Sequence, residues 1–270
     1  MTAFKARYGP WALVAGASQG IGAAFATELA ARGLNVALVA RGAERLQWLG
    51  DELQRTMGVE ALTICQDLSD PDAAQAIAAQ LEGREVNLLV YNAALSLVGP
   101  FLEQSFGAHL RELDTNVRAP LSLTYEFGRR MAQRRRGGII LMSSLAAFQG
   151  GPFIANYTAT KAYNLVLAEG LWAELGERGV DVLACLAGAT ATEGFTETAP
   201  TRTSRFAPPP LAPRAVATEA LDALGKAPSI VPGWSNRLAS QVMRRLLSRR
   251  AAIRLMERNT RSLTRTQAGP

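Results

Sequence analysis

Histidine and cysteine are nearly missing from this 270-residue chain, which has one His (His109) and two Cys (Cys65 and Cys185). The scarcity argues against a metal site, because no cluster of His, Cys and carboxylates has ligand spacing. It also excludes a disulfide framework. Both cysteines lie in apolar, strand-like runs and read as buried small hydrophobes in a reducing compartment. No apolar run reaches transmembrane length. The opening MTAFKARYGPWALVAGASQG lacks the cleavage pattern of a signal peptide, so a cytoplasmic protein is expected. Acidic residues are scarce in one place. From Ser235 to Pro270 there are nine Arg against one Glu, a net of +8; with +6 overall, the remainder sums to −2. A near-neutral body with a basic tail is not the signature of a nucleic-acid-binding protein.

Alternating strands and helices are what the chain does contain. Trp11 to Ala17 reads as a buried strand, followed by glycines and a helix from Ile21 to Arg32. Further strands are expected at Asn35–Ala40, Val59–Cys65, Val86–Tyr91, Gly138–Met142, Val180–Leu186 and Ser229–Val231. Helices are expected at Ala43–Met57, from an Asp70 cap to Leu81, over His109–Arg134, from Ala155 and over Arg214–Gly225. This order predicts an α/β fold, a single doubly wound domain of Rossmann type with a parallel sheet of about seven strands. The domain spans residues 1–234, and residues 235–270 form a basic helical extension. In such sheets ligands bind beyond the carboxyl ends of the strands. Gly16 to Gly22, Arg41, Asp67, Asn92, Ser144 and Gly188 all fall there.

Strand, glycines, helix is the arrangement that places a phosphate on a helix N-terminus. The spacing here, Gly16, Gly20 and Gly22, is G-x-x-x-G-x-G. The same residues, Gly16 to Gly20, match G-x-S-x-G, the nucleophile elbow of hydrolases. That mechanism needs a downstream histidine and an earlier strand for its oxyanion hole. His109, the one histidine, is expected on a helix as an exposed or capping residue, and no earlier strand exists. At the end of the second strand, Ala40-Arg41-Gly42 offers no acid for ribose hydroxyls. An arginine there suits a 2′-phosphate, with Arg45 as a second cation one turn on. Further along, Tyr157 and Lys161 stand four residues apart on one face of an expected helix. An ammonium beside a phenol favours the phenolate and brings it into range for acid–base work. A serine at the end of the preceding strand could hold a carbonyl oxygen against that phenol; Ser143 and Ser144 are the two choices, and strand alternation sends them to opposite sides.

In order along the chain stand AGASQGIG (Ala15 to Gly22), Asp67-Leu68, YNAA (Tyr91 to Ala94), Asn116, Ser144, YTATK (Tyr157 to Lys161) and AGATAT (Ala187 to Thr192). Together they resemble the classical short-chain dehydrogenase/reductase family, in its ketoreductase and hydroxysteroid dehydrogenase-like branch. The resemblance covers about Pro10 to Val231. It implies Tyr157 as the acid in carbonyl reduction, Lys161 as its partner and as a hold on the nicotinamide ribose, and Ser144 as the group that orients the carbonyl. Asn116 would anchor a water leading from Lys161 to solvent. Gly16, Ser18, Gly20, Ile21, Gly22, Arg41, Asp67, Leu68, Asn92, Ala93 and Thr192 would line the cofactor, with NADP(H) preferred over NAD(H). Asp67 would meet the adenine and Thr192 the nicotinamide amide. The family also implies a homodimer or homotetramer. Three positions depart from its pattern: Ala15 replaces a threonine, Ala94 a glycine that is strained if φ must be positive, and Ala187 a proline. The expected activity is NADPH-dependent reduction of a ketone, aldehyde or 3-oxoacyl group on an apolar substrate. The alternatives are an NAD-dependent dehydrogenase working in the oxidative direction and a non-catalytic cofactor sensor on the same fold.

The segment Thr192 to Pro213 reads either as an apolar lid, through Phe195 and Phe206, with Arg202 and Arg205 for an anionic group, or as a surface loop. In the tail, Leu238, Val242 and Leu246 recur at i+4 among arginines, and Ile253 and Met256 mark a second short helix. Packing on the body or a subunit, peripheral membrane contact, and docking of an acidic carrier protein all fit that stripe. Residues from Thr260 onward are expected to fray.

Overall fold

The computed structural model describes residues 2–192 and 209–267, without the side chains of residue 259 and residues 262–267. Phe195, Arg202, Arg205 and Phe206 lie outside the described residues. Seven parallel strands form one sheet: β1 Trp11–Ala15, β2 Asn35–Ala40, β3 Ala61–Cys65, β4 Val86–Tyr91, β5 Gly137–Ser144, β6 Val180–Ala187 and β7 Ser229–Ile230. Their order is β3-β2-β1-β4-β5-β6-β7. The chain therefore winds outward from β1 in one direction and then, from β4, in the other. β1 lies between β2 and β4, with Ala15 beside both Val39 and Tyr91. The crevice at the carboxyl ends of β1 and β4 is where such a sheet takes a ligand.

Strand alternation splits the core into two layers. Ala12 and Val14 face one side with Val36, Leu38, Leu88 and Ile140. They meet helices α2 (Gly20–Ala31) and α3 (Ala43–Met57), with Phe25, Leu29 and Leu46 as fully buried anchors. Leu13 and Ala15 face the other side with Val39, Leu89, Ile139 and Leu141. There they meet α4 (Ala73–Gln80), α6 (Ala119–Arg134) and α7 (Ala155–Gly176), through Ile77, Phe127 and Leu165. Burial on both faces is why these strands read as unbroken apolar runs. A short helix, α1 (Ala3–Tyr8), is pinned across the far end of the sheet: Asp181 accepts from Arg7 Nε at 2.5 Å and from the Tyr8 hydroxyl at 2.6 Å.

Several expectations need correction. Asp70 does not cap α4: its carboxylate accepts from Asp72 N–H at 2.9 Å, closing a turn, and the helix starts at Ala73 after Asp72. The helix expected over His109–Arg134 begins earlier, as α5 (Phe106–Leu113), and is interrupted by a π turn, Asp114–Arg118, before α6. Cys65 is exposed rather than buried, because β3 is the edge strand; its thiol donates to Arg41 O at 3.2 Å. His109 is 8% exposed, stacked on Phe101 and with Nε2 3.0 Å from Phe101 O, because the segment Phe101–Glu103 folds back over α5. After β6 come α8 (Pro213–Ala223), α9 (Trp234–Leu246) and α10 (Arg249–Gln267). Helix α10 runs through Gln267, with Thr260 buried. Helix α9 buries Asn236 and Ser240 and leaves Trp234, Leu238, Val242 and Leu246 exposed, so the apolar stripe is not the face that packs on the body. The extension is anchored by small and cationic contacts: Asn236 fills the space beside Gly188, Arg244 lies 4.4 Å over the Phe148 ring and Arg261 lies 5.6 Å over Phe153.

Candidate active site

The crevice beyond β1 and β4 is a cleft of about 490 Å³. Gly16, Ser18, Gly20 and Ile21 line one side of it, and Arg41, Asp67 and Leu68 line the β2–β3 end. Asn92, Ala93, Ala94 and Thr192 line the rest, with Leu95, Arg111 and Thr115, which the sequence did not single out. Gly22 does not line the cleft. It sits behind it, where a Cβ would stand 1.9 Å from Gly16 O, so only glycine lets the first turn of α2 press against the loop. Gly16 takes φ +83°, and a Cβ there would be 2.6 Å from Ala93 N. Gln19 precedes α2 and does not cap it with its side chain, so the first turn, whose Gly20 and Ile21 line the cleft, brings uncapped N–H groups and the positive end of the helix dipole to it. The donor set, the glycine turn and the cleft's size fit a dinucleotide.

The three departures from the pattern have structural answers. The turn that lacks a hydroxyl at Ala15 is braced from β4: Asn92 N–H and Ala93 N–H both donate to Ala15 O at 2.9 Å, and Asn92 Nδ2 donates to Gly16 O at 2.9 Å. Ala94 is not among the described residues with positive φ, so the methyl is not strained there. Ala187 ends β6 in register with Ser144, and Gly188, which follows it, is packed by Asn236. Arg41 follows the end of β2, exposed on the cleft wall. Arg45 donates from Nη1 to Gln19 Oε1 at 2.6 Å, tying α3 to the glycine turn. Asp67 accepts from Ser69 N–H and Oγ and from Arg111 Nη2. Burial opposes its charge, but those bonds hold its carboxyl below the usual range.

β5 is longer than expected, and both serines belong to it. Ser143 points away from the cleft, buried, and donates to Lys161 O at 2.7 Å. Ser144 points toward α7, accepting from Ala146 N–H at 3.2 Å and reaching the Tyr157 phenol. Burial raises the phenol's pKa; the Ser144 hydrogen bond pulls it down and the charge of Glu112 pushes it up. Lys161 is 3% exposed, donates from Nζ to Met142 O at 3.1 Å, and sits 5.6 Å from the Tyr157 ring centroid. Burial pushes its ammonium down to about 8.

Asn116 occupies the π turn between α5 and α6, fully buried. Its Oδ1 accepts from Leu95 N–H at 2.8 Å, and its Nδ2 donates to Leu95 O at 2.7 Å and to Thr160 Oγ1 at 3.1 Å. Its own carbonyl accepts from Asn164 Nδ2 at 3.1 Å. Asn116 thus ties the loop after β4 to α7 between Tyr157 and Lys161. Sequence reasoning missed Glu112, Asn156 and Asn164, all buried or half-buried around these groups. The spacing did carry a signal: Glu112 lies four residues before Asn116, and Asn164 three after Lys161.

A family model for the short chain dehydrogenases matches residues 10–203. A 7β-hydroxysteroid dehydrogenase of Collinsella aerofaciens is 32% identical over 235 residues, 86% of this chain and 89% of that protein. A solved structure of a 7β-hydroxysteroid dehydrogenase superposes with a TM-score of 0.89 at 30% identity, covering 94% of this chain and 99% of the other. A short-chain dehydrogenase from Sphingobium yanoikuyae in complex with NADPH superposes with a TM-score of 0.74 at 31% identity, covering 83% and 87%.

Proposed function

The chain belongs to the short-chain dehydrogenase family, and from that premise we propose that it is an NADPH-preferring reductase of a ketone on an apolar, steroid-sized substrate. The observation that carries the reading is the convergence of Ser144, Tyr157 and Lys161 at the end of β5, beside a cleft that fits a dinucleotide. When bound, the nicotinamide cofactor supplies the hydride. Tyr157, kept protonated by burial, gives its proton to the carbonyl oxygen. The Ser144 hydroxyl polarises that oxygen and then donates to the phenolate left behind. Lys161 stays cationic at neutral pH and stabilises that phenolate through a low-dielectric interior. Asn116 is a positioning residue, holding Leu95 and Thr160 around the phenol and the ammonium.

Arg41 supports NADPH over NADH: it is an exposed cation at the end of β2, on the cleft wall, with no acid in Ala40-Arg41-Gly42 to receive a ribose. The test is NADPH oxidation with a panel of apolar ketones, aldehydes and 3-oxoacyl thioesters, wild type beside Tyr157→Phe. Turnover should fall by about 10²–10⁴-fold in the variant while NADPH still binds. A wild type that binds NADPH and turns over nothing in the panel would leave the sensor reading ahead.

Two further assignments concern partners. Helix α7 presents Ala159, Ala162, Val166 and Gly170 on an open face. These side chains are small enough for a second copy to approach, and Val166, Trp172 and, on α6, Tyr125 stand exposed for it. Light scattering of Val166→Arg should show a smaller particle than wild type. No helix among the described residues is long and apolar enough to cross a membrane. The tail carries a net +8, and its exposed stripe of Trp234, Leu238, Val242 and Leu246 fits an anionic lipid surface. Phosphatidylglycerol vesicles should pellet the wild type, and Leu238→Ser with Leu246→Ser should pellet less. Equal pelleting would remove the tail as the contact.

A further inference from the structure

Glu112 stands in the last turn of α5 with no solvent exposure. A buried carboxylate is costly unless it is paired or fully hydrogen-bonded. Among the described residues Glu112 makes no ion pair. Its Oε1 accepts from Leu97 N–H at 3.0 Å, and its Oε2 accepts from Asn156 Nδ2 at 2.7 Å. The two partners belong to different parts of the site. Leu97 is in the loop that leaves β4 along the cleft, two residues after the Leu95 held by Asn116. Asn156 is in the first turn of α7, next to Tyr157, and its Nδ2 also donates to His109 O at 3.2 Å. Glu112 and Asn116, four residues apart, therefore hold the loop after β4 at two points, and both also reach α7.

We propose that Glu112 is a positioning residue for Tyr157: it locks the turn that carries the phenol to the loop that lines the cleft, and it places a fixed negative charge beside the phenol. The proposal rests on Tyr157 as the proton donor. The charge of Glu112 favours the phenol, raising Tyr157 alongside burial; an ammonium such as Lys161, 5.6 Å from the ring centroid, favours the phenolate. Other charged or titratable groups around this corner are His109 one turn back on α5, the Arg111–Asp67 pair, the Asp114–Arg118 pair in the π turn, and Arg261 of α10 over Phe153. Arg111 and Arg118 are each matched by a carboxylate, so the charge of Glu112 is not cancelled by an arginine of its own. Burial raises the Glu112 carboxyl, while the bonds from Leu97 and Asn156 and the nearby His109 oppose the rise.

Glu112→Gln tests both halves. Glutamine keeps the shape and one acceptor for Leu97 N–H, and Asn156 can turn its own amide oxygen to the new NH₂. The phenolate absorbance of Tyr157 is read as wild type minus Tyr157→Phe, and likewise in the Gln background. This titration is independent of turnover, so it holds even if Tyr157 proves not to be the acid. The midpoint should fall by about one pH unit, a tenfold change in the protonation constant. The pH profile for alcohol oxidation should move by the same amount. An unmoved midpoint in a folded variant overturns the charge half. A moved midpoint with an unmoved rate profile keeps Glu112 beside Tyr157 and sinks Tyr157 as the catalytic group instead. Asn156→Ala tests the other half: it breaks one arm and leaves the charge, so kcat should fall about tenfold with the midpoint in place. Unchanged kcat overturns the lock. Should Glu112→Gln fail to fold, Glu112→Asp keeps the charge on a shorter arm. Its midpoint should stay near wild type while kcat falls, and a midpoint lowered by a full unit would overturn the proposal.

Discussion

Replacing Lys161 with methionine should change how stability responds to pH in a way that only a buried, charged lysine produces. Burial lowers the ammonium from 10.5 to about 8. At about 1.36 kcal/mol per unit, the folded protein carries roughly 3 kcal/mol of strain from this one charge at neutral pH. Because the folded value lies below the unfolded one, the unfolded chain binds more protons between pH 8 and 10.5. The cost is therefore fully present below pH 8 and is relieved as pH rises through that window. Methionine removes the charge but also leaves Met142 O without the Nζ donor that sits 3.1 Å away, a loss of about 1–3 kcal/mol. A comparison at one pH is thus ambiguous, and the pH dependence is not. Between pH 7 and pH 9.5 the wild type should gain about 2 kcal/mol on Lys161→Met. The assay is urea denaturation of the cofactor-free proteins at half-unit pH steps. Burial also raises Tyr157 and Cys185, which lose stability at high pH; Cys185 drops out of the difference, and Tyr157, raised above its ordinary value of 10, contributes little below pH 9.5. Two parallel curves would refute the reasoning and mean that the folded state leaves the Lys161 ammonium at its ordinary value, hydrated or matched by an opposite charge.

Arg41→Ala should weaken NADPH binding by about 10–100-fold, the worth of one charge-assisted contact, with NADH little affected; equal wild-type affinities for the two cofactors, by fluorescence titration, would sink the Arg41 argument. Gly22→Ala should cost about 3 kcal/mol and abolish NADPH binding, because its Cβ would meet Gly16 O at 1.9 Å and Asn92 Nδ2 at 2.7 Å. Asp181→Ala should cost about 2–3 kcal/mol by thermal melting, since it strands Arg7 and the buried Tyr8 hydroxyl; adding Tyr8→Phe should recover part of the loss, and no recovery would place the cost elsewhere.

The sheet was legible because strands buried on both faces write themselves as unbroken apolar runs. Asn35–Ala40 and Val86–Tyr91 are strands to the residue, and Ala43–Met57 ends where Gly58 takes the left-handed cap. The errors lie where a distant contact overrides a local pattern. The π turn at Asp114–Arg118 holds Asn116 against Leu95, twenty-one residues back, and helical periodicity carries no trace of that. Cys65 was expected inside because its strand is apolar, yet nothing local says that β3 is the edge. His109 and Glu112 look like ordinary polar helix residues; they are buried because the loop after β4 and the turn at Phe101–Glu103 cover α5. In the tail the periodicity was real but did not say which face packs on the body; the apolar face is the exposed one, and Asn236 and Ser240 are buried.

The same distinction explains how the glycine turn tolerates its departures. A hydroxyl at position 15 would brace the turn from within β1. Here the brace comes from β4, where three hydrogen bonds from Asn92 and Ala93 fix Ala15 O and Gly16 O. Those donors are held in place by the parallel register of β1 on β4, which sets Ala15 beside Tyr91. Tyr91 is fully buried and donates its hydroxyl to Thr115 O, next to Asn116. The glycine turn, the Tyr91-Asn92-Ala93-Ala94 segment and the π turn are therefore one hydrogen-bonded unit, continuous through Leu95 and Thr160 to the helix that carries Tyr157 and Lys161. A substitution that looks like the loss of one phosphate-loop group is absorbed by that unit. One that breaks the unit, at Asn92 or Asn116, would disturb the cleft wall and the start of α7 together.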